Sequence, residues 1–99
     1  MEVIMTNTAI DDYFNIIDYI VANFSIITAE KFKIKMDSVV DTILTFNEIG
    51  QIYQNTEYRY ILISEQTYLF YRIETDKLYV VKLWLTSQDP QKLKSIFGN

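Results

Sequence analysis

The sequence predicts a single α+β domain over residues 1–99, in which an antiparallel sheet packs on a helical hairpin in the order βααβββ. Three observations support this prediction. Apolar residues recur at helical spacing in the first half of the chain, and three runs rich in β-branched and aromatic residues follow Gly50. The few strong breakers of secondary structure, Gly50, Pro90 and Gly98, fall between or after these segments.

The start of the chain predicts a short strand followed by a helix. Residues 3–5 are apolar and precede Thr8, whose hydroxyl can cap a helix that has Asp11 at its third position. Apolar residues then keep a 3.6-residue period for about four turns. This stripe consists of Ile10, Tyr13, Phe14, Ile17, Ile20, Val21 and Phe24.

A second amphipathic helix is predicted directly after the first. Ser25 or Thr28 can cap it, and it ends by residues 47–50. Its apolar stripe consists of Phe32, Met36, Val39, Val40, Ile43, Leu44 and Phe46. Residues 31–36 alone alternate like a strand, but the length of the surrounding helical pattern favours a helix. Two such helices with a short connection predict an antiparallel hairpin.

The second half predicts a three-stranded antiparallel meander. Its strands cover residues 58–63, 67–73 and 78–85. The breaks at residues 64–66 and 74–77 have the length of hairpin turns. Pro90 favours a final short helix through Phe97.

Alternation along these strands divides the predicted sheet into two faces. The aliphatic face, which is expected to pack on the helices, contains Ile61, Ile63, Leu69, Tyr71, Ile73, Val81, Leu83 and Leu85. The aromatic face contains Tyr58, Tyr60, Leu62, Tyr68, Phe70, Arg72, Val80, Lys82 and Trp84. No predicted helix clearly covers the aromatic face, and large exposed apolar patches usually mark binding sites. We therefore expect the aromatic face to be the working surface.

Composition excludes several kinds of chemistry. The chain has no Cys and no His, which excludes disulfides, Cys-type zinc sites and imidazole catalysis. We expect no metal and no cofactor, because the acid pairs Asp11–Asp12 and Asp37–Asp41 suit solvated helix surface. The chain starts without a basic leader, and polar residues interrupt its most apolar stretch, residues 13–27. We therefore expect a cytoplasmic protein that does not span a membrane.

Charge is distributed unevenly along the chain. The net charge of −4 argues against a protein coated with nucleic acid, because phosphate binding depends on clustered Lys and Arg. Residues 1–57 carry three bases and nine acids, whereas residues 58–99 carry six bases and four acids. Any surface that meets phosphate is therefore expected in the C-terminal part.

Several short segments, taken in order, resemble the RelE/ParE superfamily of bacterial type II toxins, which are plasmid-stabilisation-type proteins. These segments are YRYILI, YLFYRI, LYVVKLWL, TSQDPQKLK, Asp18-Tyr19-Ile20, Ala29 with Phe32, and Asn47-Glu48-Ile49-Gly50. The last of them resembles a Pro-Glu-x-Gly helix stop with Asn in place of Pro. The resemblance covers nearly the whole chain. It implies a toxin that a cognate antitoxin wraps and neutralises, acting either on mRNA at the ribosome or on DNA gyrase.

Two positions depart from the pattern of the nuclease branch. That branch typically places an Arg where this chain has Tyr68, and related members often have a basic residue where Ser87 stands. Loss of a charge-assisted contact to a transferring phosphoryl group typically costs about 2–4 kcal/mol. The sequence therefore favours a ParE-like or catalytically weakened toxin, and it leaves open whether the protein is an enzyme.

Two alternative functions stay open. A RelE-like mRNA endonuclease with a substituted active site would use Arg72 and Lys82 for phosphate charge and Tyr68 or Tyr71 for proton transfer. In the second alternative, the protein is a non-toxic protein-binding module that has kept the fold of the family. Because antitoxin segments can dock as a helix in a groove or as an added strand, we expect an aromatic set to bind the partner. That set is Tyr58, Tyr60, Tyr68, Phe70 and Trp84.

The three cations near the sheet also have a simpler interpretation. Arg72 and Lys82 are expected to pair with acids across the strands. Alternation along the strand places Arg59 on the aliphatic face, so a helix carboxylate is its expected partner.

Overall fold

Two helices and five strands make up residues 1–86, the part of the chain that the computed structural model describes. In chain order they are β1 (Glu2–Met5), α1 (Asn7–Asn23), α2 (Ile26–Thr45), β2 (Gln51–Ile52), β3 (Arg59–Ser64), β4 (Thr67–Glu74) and β5 (Lys77–Leu85). This order confirms the predicted βααβββ arrangement and adds the two-residue strand β2. The helix predicted after Pro90 lies outside the described residues, as does Ser87.

Both helices begin at side-chain caps. The Thr6 hydroxyl oxygen caps α1 by accepting a hydrogen bond from an amide of the first turn at 3.2 Å. The prediction that Thr8 is this cap was wrong, because Thr6 also donates to the Val81 carbonyl and thereby joins the helix start to the sheet. Ser25, one of the two predicted caps of α2, accepts from the Thr28 amide at 3.0 Å.

The strands form one mixed sheet in the spatial order β1-β5-β4-β3-β2. Strands β3, β4 and β5 form the predicted antiparallel meander, and β2 is antiparallel to β3. Strand β1, to which the sequence assigned no partner, pairs parallel with β5, so the sheet is mixed at this edge. The helices and strands between β1 and β5 supply the long connection that a parallel pair requires.

A bulge in β5 determines which side chains share a face. Phe70 lies opposite Lys82 whereas Tyr71 lies opposite Val80, which leaves Val81 as the extra residue. Strict alternation predicted Val80 on the aromatic face and Val81 on the aliphatic face, and both assignments were wrong. Val80 is fully buried in the main core, and Val81 packs against the buried cluster that contains Phe70.

Separate apolar clusters occupy the two faces of the sheet. The main core between the sheet and the helices contains Ala9, Ile16, Phe32, Met36, Ile43, Ile63, Leu69, Tyr71, Leu78, Val80 and Leu83. A smaller cluster buries Phe70 and Trp84, with Tyr53, Tyr60, Tyr68 and Val81 packed around them. The main core orients both helices, so the aromatic face lies on the side of the sheet away from the hairpin.

Gly50 lies where the chain leaves the α2 region and enters β2. A Cβ atom at this position would lie 2.8 Å from the ring and hydroxyl of Tyr71 and 3.0 Å from the Tyr60 carbonyl oxygen. Gly50→Ala should therefore lower the free energy of unfolding by about 1–3 kcal/mol, as measured by urea denaturation. In a Tyr71→Phe background the same substitution should cost less, because one clashing atom is gone. An equal cost in both backgrounds would contradict the clash.

Candidate functional site

Aromatic rings pack edge to face at the centre of the aromatic face. The Tyr60 ring meets those of Tyr53 and Tyr68 at centroid distances of 6.2 and 5.5 Å, and Tyr53 meets Phe70 at 5.4 Å. Each such pair typically contributes about 0.5–1.5 kcal/mol beyond its buried area. The rings therefore form a packed layer. Tyr53 was not among the predicted site residues, since it lies in the loop after β2, where no strand alternation assigns a face.

The predicted partner-binding residues differ in how much surface they offer. Phe70 and Trp84 are 2% and 4% exposed, so their rings contribute mainly to packing. Tyr58, Tyr60 and Tyr68 are half-buried and keep part of their surface in contact with solvent. Among the predicted residues, the accessible part of the aromatic face is therefore made chiefly of tyrosine.

Lys82 is held by a carboxylate from α1. Its Nζ lies 2.9 Å from Oδ1 of Asp12, and the Lys82 and Asp12 side chains are only 8% and 16% exposed. The other carboxylate oxygen of Asp12 accepts from the Leu83 amide at 3.1 Å. The predictions of Asp12 as solvated helix surface and of a cross-strand acid for Lys82 were both wrong. Strand β1 ends opposite Val80, so α1 rather than a strand flanks the next residues of β5.

Arg72 also has a partner inside the chain. Its guanidinium donates to the Glu74 carboxylate two residues along β4, and it lies 4.2 Å from the centroid of the Tyr79 ring. The hydrogen bond to Glu74 raises the pKa of Arg72 above its ordinary value. The expected cross-strand acid is thus replaced by one on the same strand. The Arg72 side chain keeps 25% of its surface exposed.

Tyr71 is a core residue, and the structure does not bring it to the aromatic face. Its hydroxyl donates to the Asn47 carbonyl at 2.8 Å and accepts from the Gly50 amide at 3.0 Å. Burial raises the pKa of Tyr71 above its ordinary value of 10.0, while the Gly50 amide and the Arg59 charge act less strongly in the opposite direction. Both bonds hold the chain after α2 in place. Of the two tyrosines predicted for proton transfer, only Tyr68 lies on the aromatic face.

Arg59 stabilises the same segment. One guanidinium nitrogen donates to the Glu48 carbonyl at 3.2 Å and to the Gly50 carbonyl at 2.8 Å. The prediction that Arg59 pairs with a helix carboxylate was wrong, because its partners are backbone oxygens just beyond the C-terminus of α2. Cations are favoured near that end of a helix by its partial negative charge.

Two further observations concern residues 1–86. Neither helix in this range combines the length and apolar character that a membrane crossing requires. Within the same range, acidic side chains do not gather in groups of three or more that could hold a metal ion.

This architecture is that of solved bacterial toxins. A chain of the chromosomal ParDE TA system from P. aeruginosa matches with a TM-score of 0.67 and 14% identity, over 88% of this chain and 97% of that chain. The YoeB/ParE toxin from Agrobacterium tumefaciens gives 0.66 and 14%, over 86% and 98%. A chain of the YoeB-YefM complex from Staphylococcus aureus gives 0.58 and 18%, over 85% and 94%. At these identities the likeness establishes the fold.

A family-level match identifies the chain more closely. The sequence model described as "ParE toxin of type II toxin-antitoxin system, parDE" matches residues 3–90. Because the match spans most of the sequence, the chain belongs to the ParE toxin family of type II toxin–antitoxin systems. The resemblance to the RelE/ParE superfamily is thereby confirmed. No curated protein matches the chain in sequence.

The ion pair between Asp12 and Lys82 can be tested by a double-mutant cycle. Asp12→Ala should lower the free energy of unfolding by about 3 kcal/mol, because it leaves Lys82 in a site with little solvent. Adding Lys82→Met should recover part of this loss in urea denaturation. Asp11→Ala, at an exposed neighbouring acid, is the control and should change stability by less than about 0.5 kcal/mol. Strictly additive effects of the two substitutions would show that the side chains do not interact.

The buried Tyr71 hydroxyl should make stability depend on alkaline pH. Since its folded pKa is raised, the stabilising contribution is complete below pH 10.0 and is lost as pH rises through the folded pKa. Absorbance titration of the eight tyrosines should show one late ionisation that coincides with unfolding. Tyr71→Phe should remove this step, whereas Tyr19→Phe, at an exposed ring, should leave the late step in place. A late step that persists in Tyr71→Phe would contradict this assignment.

Proposed function

We propose that the protein is a toxin that acts by docking on a protein target, in the ParE-like manner on DNA gyrase, and that a cognate antitoxin neutralises it. One observation carries the proposal. Each cation predicted near the sheet, Arg59, Arg72 and Lys82, already has a partner within the chain. The family match supports a toxin, and the ParDE and YoeB-YefM structures, which come from toxin–antitoxin systems, support an antitoxin partner.

Cleavage of mRNA on the aromatic face would require free positive charge. Lys82 would first have to leave Asp12 and expose an acid to the incoming phosphate. Arg72 is held by Glu74 and the Tyr79 ring, and the position of the usual Arg is occupied by neutral Tyr68. A phosphoryl transition state gains most from donors that are already free and oriented. The RelE-like alternative is therefore disfavoured.

The aromatic face instead has the character of a protein-docking surface. Tyr60 and Tyr68 present partly exposed rings, and Leu62, directly opposite Tyr68, is 46% exposed. Tyrosine is enriched in interfaces because it contributes large contact area with few rotatable bonds. Binding through such groups needs no free cation. This feature favours recognition of a folded protein over recognition of a phosphate backbone.

Expression tests the proposed toxicity and its target together. The chain produced alone should arrest bacterial growth, and the product of the adjacent reading frame should restore it. The purified protein should inhibit supercoiling by DNA gyrase and leave mRNA intact in a translating extract. Leu62→Glu should weaken gyrase inhibition, because it places a charge in the apolar contact, whereas Ile34→Glu, at an exposed position on α2, should not.

Two outcomes would contradict this function. Cleavage of mRNA that is lost in Arg72→Ala would establish the RelE-like endonuclease instead. Normal growth during expression of the intact, folded chain would rule out both toxic activities and favour the non-toxic binding module.

A further inference from the structure

A half-enclosed cleft of about 380 Å³ lies between the second half of α1, the first half of α2 and the β3–β4 turn. Its floor is apolar, since Ile16 and Phe32 are 4% and 5% exposed and both belong to the main core. Pockets that hold small molecules have a mostly apolar lining and a volume of roughly 300–1,000 Å³. The cleft therefore has the size and the lining of a small-molecule site.

The volume of the cleft restricts the kind of occupant. An α-helix with its side chains is about 10–12 Å wide and rises about 5.4 Å per turn, so a single turn fills roughly 400–600 Å³. The cleft is smaller than one such turn. A methylene group is similar in size to a water molecule, whose share of the liquid volume is about 30 Å³. The cleft therefore accommodates one acyl chain of about ten carbons.

Two lysines provide positive charge at the cleft. Lys31 and Lys35 both line it, and they lie one turn apart on α2, at the spacing where like charges repel each other. Neither lysine forms an ion pair within residues 1–86. Glu65 on the β3–β4 turn, the one acid among the described lining residues, makes no ion pair with them. An anionic group held against both lysines would relieve their repulsion.

Aromatic side chains extend the apolar lining toward solvent. Phe24 and Tyr19 both line the cleft, with exposed fractions of 67% and 43% and a ring-centroid distance of 6.4 Å. A ligand with an apolar body would remove this surface from water, which is favourable roughly in proportion to the area covered. The cleft thus combines apolar surface with a pair of cations, and an anionic amphiphile complements both features.

We infer that the cleft binds a free single-chain fatty acid. Its carboxylate would lie against Lys31 and Lys35, with which it can form charge-assisted hydrogen bonds. Its chain would run along Phe24 to the apolar floor. Because such a ligand contacts α1, α2 and the β3–β4 turn together, its binding stabilises the folded chain by mass action. The cleft lies on the helix side of the sheet, away from the aromatic face, and the inference does not depend on the proposed toxicity.

Decanoate, at concentrations below those at which it forms micelles, is the probe that tests the inference. Titration calorimetry with the purified chain should show saturable binding of one decanoate. Decyltrimethylammonium, which has the same chain length and a cationic head, should bind at least about tenfold more weakly. The double variant Lys31→Gln/Lys35→Gln should also lose at least about tenfold in decanoate affinity. Lys33→Gln, exposed on α2 but outside the cleft, is the matched control and should change it less than about twofold.

A second pair of variants tests the apolar part of the site. Phe24→Ala should weaken decanoate binding at least about threefold, because it removes apolar contact area. Phe14→Ala, at a ring on α1 that is 58% exposed and outside the cleft, should leave the affinity unchanged. Thermal unfolding without ligand should confirm that all variants fold, and decanoate should raise the Tm of the wild type and of both controls.

Four results would overturn the inference. The first is that decanoate shows no saturable binding to the folded wild-type chain. The second is equal affinity for decanoate and decyltrimethylammonium, since the lysines would then not select the anionic head. The third is unchanged decanoate affinity in Lys31→Gln/Lys35→Gln, which would place the binding elsewhere on the chain. The fourth is binding to vesicles of anionic phospholipid at least as strong as binding to decanoate, which would assign the cleft to a membrane surface.

Discussion

The contact between α1 and the free edge of β5 constrains most of the molecule. The Thr6 amide and hydroxyl donate to the carbonyls of Val80 and Val81, and Asp12 accepts the Leu83 amide. These bonds satisfy backbone groups of β5 that lie at or beyond the end of β1. Without the bonds, these groups would lack partners at a sheet edge. They also fix the direction in which the helical hairpin leaves the sheet. The same carboxylate that completes the edge neutralises Lys82, so a structural requirement removes a cation from the aromatic face.

The C-terminal end of α2 shows the same use of polar groups for structure. Tyr71 and Arg59 bind backbone groups of residues 47–50 and hold the chain as it turns from α2 into β2. Tyr71 was a candidate for proton transfer, whereas Arg59 was expected to pair with a helix carboxylate. Their positions leave the aromatic face to ring packing and to the exposed edges of tyrosines. A surface of this kind suits shape recognition better than charge recognition.

Sequence periodicity was sufficient to predict the helices and strands, and it was insufficient to predict the contacts that join them. The stripes of both helices and the three long strands follow local rules, so their positions were predictable within a residue or two. The parallel pairing of β1, the bulge at Val81 and the bond between Asp12 and Lys82 were not, since the last joins residues 70 positions apart. Alternation placed Phe70 and Trp84 on the correct face. Alternation could not predict the burial of these two rings. It assigns the face of the sheet to which a side chain points, and it carries no information about the side chains that pack around it.

The bulge at Val81 also affects how this chain is compared with its relatives. The extra residue in β5 changes the face of the sheet to which each following side chain points. The sequence of a relative without the bulge therefore aligns correctly with this strand only if the alignment contains a one-residue gap. Without that gap, Lys82 and Trp84 would be compared with residues that point to the other side of the sheet. The position assigned to Ser87 would shift by one as well. At 14–18% identity, transfer of functional residues along this strand therefore depends on backbone register more than on residue similarity.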